Sequence, residues 1–508
     1  VTETIGDRLG AYRGDEIGAI GGANNTNEEA FALGKFMRSV VGSAHVDAQL
    51  GDGVNPHMVS ALTPRATISD LDDAATILVW GPDLKETFPV LYLRVRKAAL
   101  NGASLVVASP AGTGLDGIAT HVVRYRAGSG SETLRKLAAG DPELADVADV
   151  LNTGPVVGLV GRSSIAEDPL LAEAAASYAR ALPEAKLLTL VKRGNVFGAL
   201  DMGLAPTLLP GRVSTSDSDG AAVVEDAWGM LPDHTGRSTM EMLEAATSGE
   251  IKVLLLVGAD PVADCPDPAL AEAALEQAEF VVAVDAFETA SSRRADIILP
   301  AAVWGEVDGS VTNLEGRVQR IRRSLDPSGQ ARSLNGILND IAHSMGVDLG
   351  VSVVANISKE INTIAPAYAG VTLDFLEFEA GSEGAVVPVE PAEQPLGFIP
   401  VDVSVPVVTD KMTLHAGAVL YDDGVWNRHA PSIQNLAKRA SARLHPKDAS
   451  ALAVDDGDFV LIAGQFELPV EIAPAVAVGS VAVPFGVSET KGLAATVSVK
   501  VEPVRGTQ

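Results

Sequence analysis

What this 508-residue sequence lacks constrains it first. It has a single cysteine, Cys265. A disulfide framework within the chain is therefore excluded. So is an iron–sulfur cluster held by this chain alone in the usual way, which takes about four thiolates. Cys265 itself reads as a packed thiol. Basic residues are scarce: 38 Lys+Arg face 66 Asp+Glu, a formal net charge of −28. That balance argues against nucleic acid or an anionic membrane surface as partner. Aromatics make up only 4% of a chain that is 47% hydrophobic, so Ala, Val and Leu must fill the core. No apolar run approaches the ~20 residues needed to cross a bilayer, so direct membrane insertion is not expected. The eight histidines never form HxxxH or HxH, and with one cysteine a zinc site is not expected. No GxSxG elbow or P-loop is present. The opening residues do not read as a signal peptide, so none is expected of this stretch, and the chain opens on Val1 rather than Met. That start is expected of a piece of something longer, with roughly 200 or more residues ahead of it that carry most of the cysteines.

What is there is a repeated unit. Ile77 to Trp80 ends in Gly81, a helical run covers Thr87 to Leu100, and Ser104 to Ala108 follows. Val156 to Val160 ends in Gly161, leads to helix Leu170 to Ala181, then to Lys186 to Leu190. Ile251 to Val257 ends in Gly258, leads to helix Ala269 to Gln277, then to Phe280 to Val284. Apolar strand, glycine, helix, apolar strand is the βαβ pattern of parallel sheets buried on both faces. Three such units predict at least two doubly wound α/β lobes. Ligands of such sheets sit beyond the carboxyl ends of the strands, here Gly81-Pro82-Asp83, Gly161-Arg162-Ser163 and Gly258-Ala259-Asp260.

Gly18 to Arg38 predicts a strand end, a glycine turn and a helix opened by the capping box Thr26-x-x-Glu29. The helix start after Gly21-Gly22 suits an anion, although structure alone explains the same residues. Gly194 to Gly211 has too many Gly and Pro for regular structure and predicts a long ordered loop. Ala331 to Met345 and Val351 to Ile364 predict helices. Pro366 to Pro406 is rich in Pro, Glu and Gly and predicts a linker. Beyond it, Val460 to Ile462, Glu467 to Ile472, Gly479 to Pro484 and Ala495 to Val501 predict the short strands of a small β-barrel. The expected division is α/β lobes over 1–365, a linker over 366–406 and a barrel over 407–508.

The most informative stretch is Ala295 to Arg323. Ile297 to Leu299 predicts a short strand stopped by Pro300. Asp308-Gly309 predicts a tight turn. Asn313, Glu315 and Gly316 precede Arg317, Gln319, Arg320, Arg322 and Arg323. Guanidinium groups beside a glycine-punctuated loop suit phosphate or carboxylate, and equally suit the abundant acids of this chain.

Ala295-Asp296, the apolar triplet and Pro300, followed by Glu306, Asp308-Gly309, Thr312-Asn313, Glu315-Gly316-Arg317 and Gln319, resemble a signature of the molybdopterin-dependent oxidoreductase superfamily. In that superfamily the motif lines the pterin cleft. The resemblance runs nearly end to end. Arg443-Leu444-His445-Pro446-x-Asp448-Ala449 is similar to the superfamily's C-terminal barrel, which closes over the dinucleotide ends. Gly198 to Gly203 and Leu208 to Gly211 resemble the family of large iron–sulfur subunits, type G, of bacterial NADH–quinone oxidoreductase (respiratory complex I), its actinobacterial members in particular.

The resemblance implies doubly wound lobes of the molybdopterin oxidoreductase type plus a C-terminal β-barrel. It also implies 4Fe-4S and 2Fe-2S clusters in an N-terminal part not included in this sequence, and none in this segment. Other peripheral-arm subunits are the implied partners, and the cytoplasmic side of the plasma membrane the implied place. Departures from the superfamily pattern decide the expected role. Catalytic members bind the metal through a Cys, selenocysteine, Ser or Asp in the segment matching Gln49 to His57, where this chain offers only Asp52. Where relatives have Asp-Pro-Arg it has Ser109-Pro110-Ala111, and Gly-x-Asn has become Gly81-Pro82-Asp83. No catalytic residue, cofactor or metal is therefore expected here. Asn313, Glu315, Gly316, Arg317, Gln319, His445 and Asp448 read as positions of a degenerate cleft, and Asp52 as a weak metal candidate. The expected function is a structural scaffold within the enzyme complex. The alternatives are a catalytic molybdenum or tungsten bis-pterin oxidoreductase, such as a formate dehydrogenase, and a non-redox module that keeps a nucleotide-like ligand. The Arg317 to Arg323 cluster is expected to pair with carboxylates across the lobes.

Overall fold

The computed structural model describes residues 1–51, 55–56, 65–167, 171–387, 411–495 and 498–504. The chain divides into two compact units, each discontinuous in sequence. The first joins Val1–Gly51 to Val191–Leu396, and the second joins Asp52–Leu190 to Gly397–Gln508. The sequence-based division at 365 and 407 cuts the chain serially, whereas packing groups it in this interleaved way.

The first unit is built on a five-stranded sheet. Its strands lie in the order Ile297–Pro300, Phe280–Asp285, Val253–Val257, Ile17–Gly21, Val46–Asp47, all parallel. Numbered along the chain, that is 2-1-3-4-5 read from the Val46–Asp47 edge, so the order reverses between Ile17–Gly21 and Val253–Val257. Both of these strands are buried along their whole length, as their continuous apolar runs require. At the reversal the backbones come very close. A Cβ on Gly21, whose φ is +119°, would lie 2.0 Å from Val257 O. Only glycine fits there.

The helix Asn27–Lys35 leaves this point, capped by Thr26 with Glu29 as the capping box predicts. The helices Leu334–Ser344 and Val354–Ile364 lie where expected. Gly194 to Gly211 differs from its expectation. It contains the short helix Val196–Asp201 and the strand Leu208–Leu209, paired with Val213–Ser214. Asn195 anchors that helix by donating to Asn25 O at 2.8 Å. The described part of the expected linker also carries structure: the helix Leu373–Phe378 and the strand Ala385–Val386. Leu373 and Leu376 are buried, which explains the order despite the Gly-rich composition. Residues 388–410 lie outside the described residues.

The second unit has its own five-stranded parallel sheet. The order is His121–Arg124, Ser104–Ser109, Thr76–Trp80, Val156–Val160, Lys186–Thr189. Along the chain this reads 3-2-1-4-5, reversing between Thr76–Trp80 and Val156–Val160. The helix expected from Thr87 is divided. Pro89 cannot donate within a helix, so Leu84–Thr87 ends and Pro89–Leu100 begins.

A seven-stranded sheet completes the unit. It is nearly a closed barrel, because the final stretch meets both of its edges: Ser498–Val499 pairs with Met412–Ala418, and Val501–Pro503 pairs with Phe459–Ile462. Leu414, Ala442, Leu444, Val460, Leu468 and Val481 lie in its core. The expected α/β class with a C-terminal barrel is what the chain forms.

Candidate functional site

The signature stretch leaves the first unit's sheet at its edge strand, Ile297–Pro300. The Asp308-Gly309 turn predicted from sequence is not formed. Gly309 opens the strand Gly309–Thr312, which pairs with Arg317–Ile321 and through it with Ala385–Val386. The glycine is needed for a different reason: a Cβ there would lie 2.7 Å from both Glu28 Oε2 and Thr26 Cβ.

The hairpin turn is made by Asn313 and Gly316. Asn313 Oδ1 accepts from Glu315 N–H at 3.0 Å and Arg317 N–H at 2.9 Å. Gly316 supplies the left-handed φ of +76°. Glu315 is buried, and Arg317 Nε sits 2.5 Å from its Oε1. Gln319 lies opposite Val311 in the hairpin. Arg320 pairs with Asp308 at 2.9 Å, Arg322 with Glu377 at 3.0 Å, and Arg323 with Asp326. The arginines do pair with carboxylates, but locally, inside the first unit. Among the described residues, the partners are Glu315, Asp308 and Asp326 beside the hairpin and Glu377 of the helix Leu373–Phe378.

This hairpin rests on the start of the helix Asn27–Lys35. Asn27, Glu28 and Glu29 are all buried in its first turn. Glu28 accepts from Ser310 N–H at 2.8 Å and Ser310 Oγ at 2.9 Å. Burial pushes its pKa up to about 7 against the pull of those donors. Glu29 accepts from Leu334 N–H at 2.9 Å and Thr26 N–H at 3.2 Å, and burial raises its pKa too. The positive end of the helix thus faces two carboxylates of its own first turn.

A buried chain of hydrogen bonds continues from there. Asn27 Nδ2 donates to Ser310 Oγ and Thr312 Oγ1, and Asn195 Nδ2 donates to Asn27 Oδ1. Thr312 N–H donates to Asn195 Oδ1 at 2.7 Å. The Tyr368 hydroxyl lies 2.7 Å from Thr312 Oγ1 and 2.9 Å from Asp201 Oδ2. Arg212 then grips Asp201 with both prongs, at 2.7 and 2.9 Å. Sequence reasoning missed this network. Directly bonded members lie up to 285 residues apart, and no local pattern links them. The available signal was that Thr312, Asp201 and the segment around Arg212 all fell within resembling motifs.

At the strand ends of the first unit, N–H groups are taken by side chains of the chain itself. Asp260 accepts from Ala290 N–H at 3.2 Å, Ser291 N–H at 3.0 Å and Ser291 Oγ at 2.6 Å. Asp285 accepts from Ala286 N–H at 2.7 Å. Burial pushes Asp285 up to about 6, with the charges of Asp260 and Asp264 adding to it.

The second unit repeats the theme. Asp83 caps the helix Leu84–Thr87 and accepts from Lys85 N–H at 3.0 Å and Gly114 N–H at 3.1 Å. Ser109 O accepts from Arg124 Nη1 at 2.8 Å, and Arg124 Nη2 pairs with Asp116 at 2.5 Å. Ala111 packs with Ala482 of the barrel sheet and with Val476, which precedes that strand. Arg162 donates to Ile165 O and Glu167 O. His445 caps the helix Pro446–Leu452, its Nδ1 accepting from Lys447 N–H at 3.1 Å. Asp448 accepts from Gly479 N–H at 2.8 Å. His415 is buried in the barrel sheet, and burial, aided by Arg443 and Arg124, pushes its pKa down to about 3. Asp52 lies outside the described residues. Among the described residues no three His, Cys, Asp or Glu side chains converge as metal ligands. Cys265 is buried in the apolar core.

Two doubly wound sheets followed by a barrel, with the signature hairpin on the first sheet's edge, define a class. Residues 2–344 match the molybdopterin oxidoreductase family and residues 414–508 the molybdopterin dinucleotide-binding domain. The chain belongs to the molybdopterin oxidoreductase family. Within it, the chain is 29% identical to the second G-type subunit of NADH-quinone oxidoreductase of Rhizobium meliloti, over 90% of this chain and 57% of that protein. It is equally 29% identical to the G-type subunit of NADH-quinone oxidoreductase of Streptomyces coelicolor, over 91% of this chain and 56% of that protein. The chain thus spans a little over half the length of these relatives. The F420-dependent formate dehydrogenase subunit alpha of Methanocaldococcus jannaschii is 25% identical, over 95% of this chain and 83% of that protein. Among solved structures, acetylene hydratase from Pelobacter acetylenicus superposes with a TM-score of 0.66 at 16% identity, covering 99% of this chain and 89% of that one. That likeness concerns the fold.

Proposed function

We propose that this chain is the scaffold portion of a G-type iron–sulfur subunit of NADH–quinone oxidoreductase, carrying a degenerate molybdopterin cleft and no catalytic site of its own. The observation that carries this reading is the use of the strand-end donors. A pterin dinucleotide is rich in phosphate, and phosphate is held by free N–H groups and unpaired cations at such ends. Here Asp83 takes the N–H groups of Lys85 and Gly114, and Asp260 takes those of Ala290 and Ser291. Glu28 and Glu29 fill the start of the helix Asn27–Lys35. The Arg317 to Arg323 cations are neutralised by Glu315, Asp308, Glu377 and Asp326. These residues do not fit an anionic dinucleotide, since carboxylates in those places would repel it at short range.

In this reading the subunit's 4Fe-4S and 2Fe-2S clusters lie in a segment N-terminal to this one, and other peripheral-arm subunits are its partners. Electron transfer from NADH towards quinone belongs to the whole complex, at the cytoplasmic face of the plasma membrane. The likeness to a formate dehydrogenase alpha subunit, over 83% of that protein, favours the second reading, a catalytic molybdenum or tungsten enzyme. Elemental mass spectrometry of the natively purified protein, with pterin fluorescence after acid oxidation, separates the two. Absence of both metals and of pterin is expected. Near-stoichiometric molybdenum or tungsten together with pterin would overturn the scaffold reading and make Asp52 the first residue to mutate.

A further inference from the structure

The helix Pro89–Leu100 in the second unit is apolar on two opposite sides. Leu91, Val95 and Ala98 face the unit's own core. Val90, Leu93 and Leu100 face away from it and are 66%, 61% and 58% exposed. At 100° per residue these three fall within one stripe about 80° wide. Apolar side chains on two sides are expected of a helix that is covered on both.

The stripe is also cationic. Arg94 and Arg96 flank it and Lys97 lies within it, while the helix contains no Asp or Glu. Arg94 and Lys97 share one carboxylate, Asp72, at 3.4 and 2.8 Å. That leaves Arg96 with no ion pair among the described residues. In a chain of net charge −28, such a patch attracts an acidic surface that the rest of the molecule would repel.

We propose that the outer face of Pro89–Leu100 is a docking surface for a partner protein that presents apolar side chains ringed by carboxylates. This rests on the scaffold reading only in that the partner would then be another peripheral-arm subunit. Arg94 and Arg96 on either side of the aliphatic stripe match the usual division of an interface into an apolar core and a polar rim, with the Lys97 ammonium reaching out from the stripe to Asp72. The rim sets orientation and encounter, and the three aliphatic side chains supply the contact that excludes water.

Hydroxyl-radical footprinting of the full-length protein in its natively purified assembly, set against the free protein, tests this. Oxidation of Val90, Leu93 and Leu100 should fall about five-fold or more in the assembly, as water is excluded from an interface core. Leu93→Asp and Arg96→Glu should each release the protein from the assembly, while the free variants melt at the wild-type temperature. Equal labelling of the two states, retention of both variants, or purification without any partner would overturn the proposal. So would protection by a second copy of the chain, seen as a homodimer mass, or binding of the free protein to vesicles containing phosphatidylglycerol. If the protecting partner does not belong to an NADH-oxidising complex, the docking face stands and the scaffold reading fails.

Discussion

The ion pair between Asp201 and Arg212 is the place where the first unit can be broken by one atom group. The Asp201 side chain is fully buried and that of Arg212 is 8% exposed. Burial presses the arginine's pKa down, but the charge and hydrogen bonds of Asp201 outweigh it and hold it above its ordinary value. Arg212→Ala leaves a buried carboxylate with, among the described residues, only the Tyr368 hydroxyl to satisfy it. Breaking a buried pair from one side costs about 3–5 kcal/mol. For a unit of roughly 250 residues each kcal/mol moves Tm by about 2–4 °C, so a fall of about 6–20 °C is expected. The assay is differential scanning calorimetry, which resolves two units if they melt separately. Arg212→Leu combined with Asp201→Leu should lose less than either single change, because no orphan charge remains buried. Arg212→Ala melting within about 2 °C of wild type, or a strictly additive double variant, would refute the reasoning.

Arg317→Ala removes an ion-pair partner of buried Glu315 and should lower Tm by a few degrees without changing the affinity of any pterin or nucleotide; an unchanged melting temperature with intact assembly would count against it. Glu28 has its pKa raised by burial to about 7 from 4.5, so the folded state binds the extra proton. Its contribution is full below pH 4.5 and is lost as pH rises through about 7. Glu28→Gln should therefore gain up to ~3 kcal/mol over wild type at pH 8 and nothing near pH 4.5, read as Tm against pH. Parallel Tm–pH curves for the two proteins would be the contrary result. Gly21→Ala forces a Cβ to within 2.0 Å of Val257 O at a φ of +119°. It should cost at least ~2–3 kcal/mol or abolish folding, and a soluble variant with wild-type Tm would show that the reversal point can relax.

The parallel sheets were legible in the sequence because strands buried on both faces must be continuous apolar runs, as Thr76–Trp80 and Val253–Val257 are. The capping box at Thr26 was legible because both of its hydrogen bonds close within four residues. What failed was local reasoning about glycine. Asp308-Gly309 carries a turn signal, yet Gly309 is there because Glu28 and Thr26 press against it. Nothing near position 309 in sequence encodes that contact. Pro366 to Pro406 suggested a linker by composition, but Tyr368 closes the buried network at Thr312 and Asp201. The candidate positions Asn313, Glu315, Gly316, Arg317, His445 and Asp448 were found by resemblance. Their hydrogen bonds, each to a neighbouring backbone or charged group, could only be read from the fold.

On the proposed scaffold reading, those bonds would explain why a cofactor motif persists without its cofactor. Asn313 shapes the turn, Gly316 supplies its left-handed residue, and Arg317 neutralises buried Glu315. Thr312 joins the hairpin to Asn195 and Tyr368, and Ser310 joins it to Glu28. Ser310, Thr312 and Glu315 are buried polar residues, and losing one hydrogen bond of such a group costs about 1–3 kcal/mol. Loss of these residues would therefore be selected against by folding alone. The strand-end loops carry no such constraint, because a carboxylate such as Asp83 meets the same N–H groups that a ligand would. A scaffold that has lost its ligand should then retain the hairpin residues and let the loop residues drift towards side chains that cap their own backbone. The sequence divides in this way: Asn313, Glu315, Gly316 and Arg317 match the superfamily signature, while Ser109-Pro110-Ala111 and Gly81-Pro82-Asp83 depart from it.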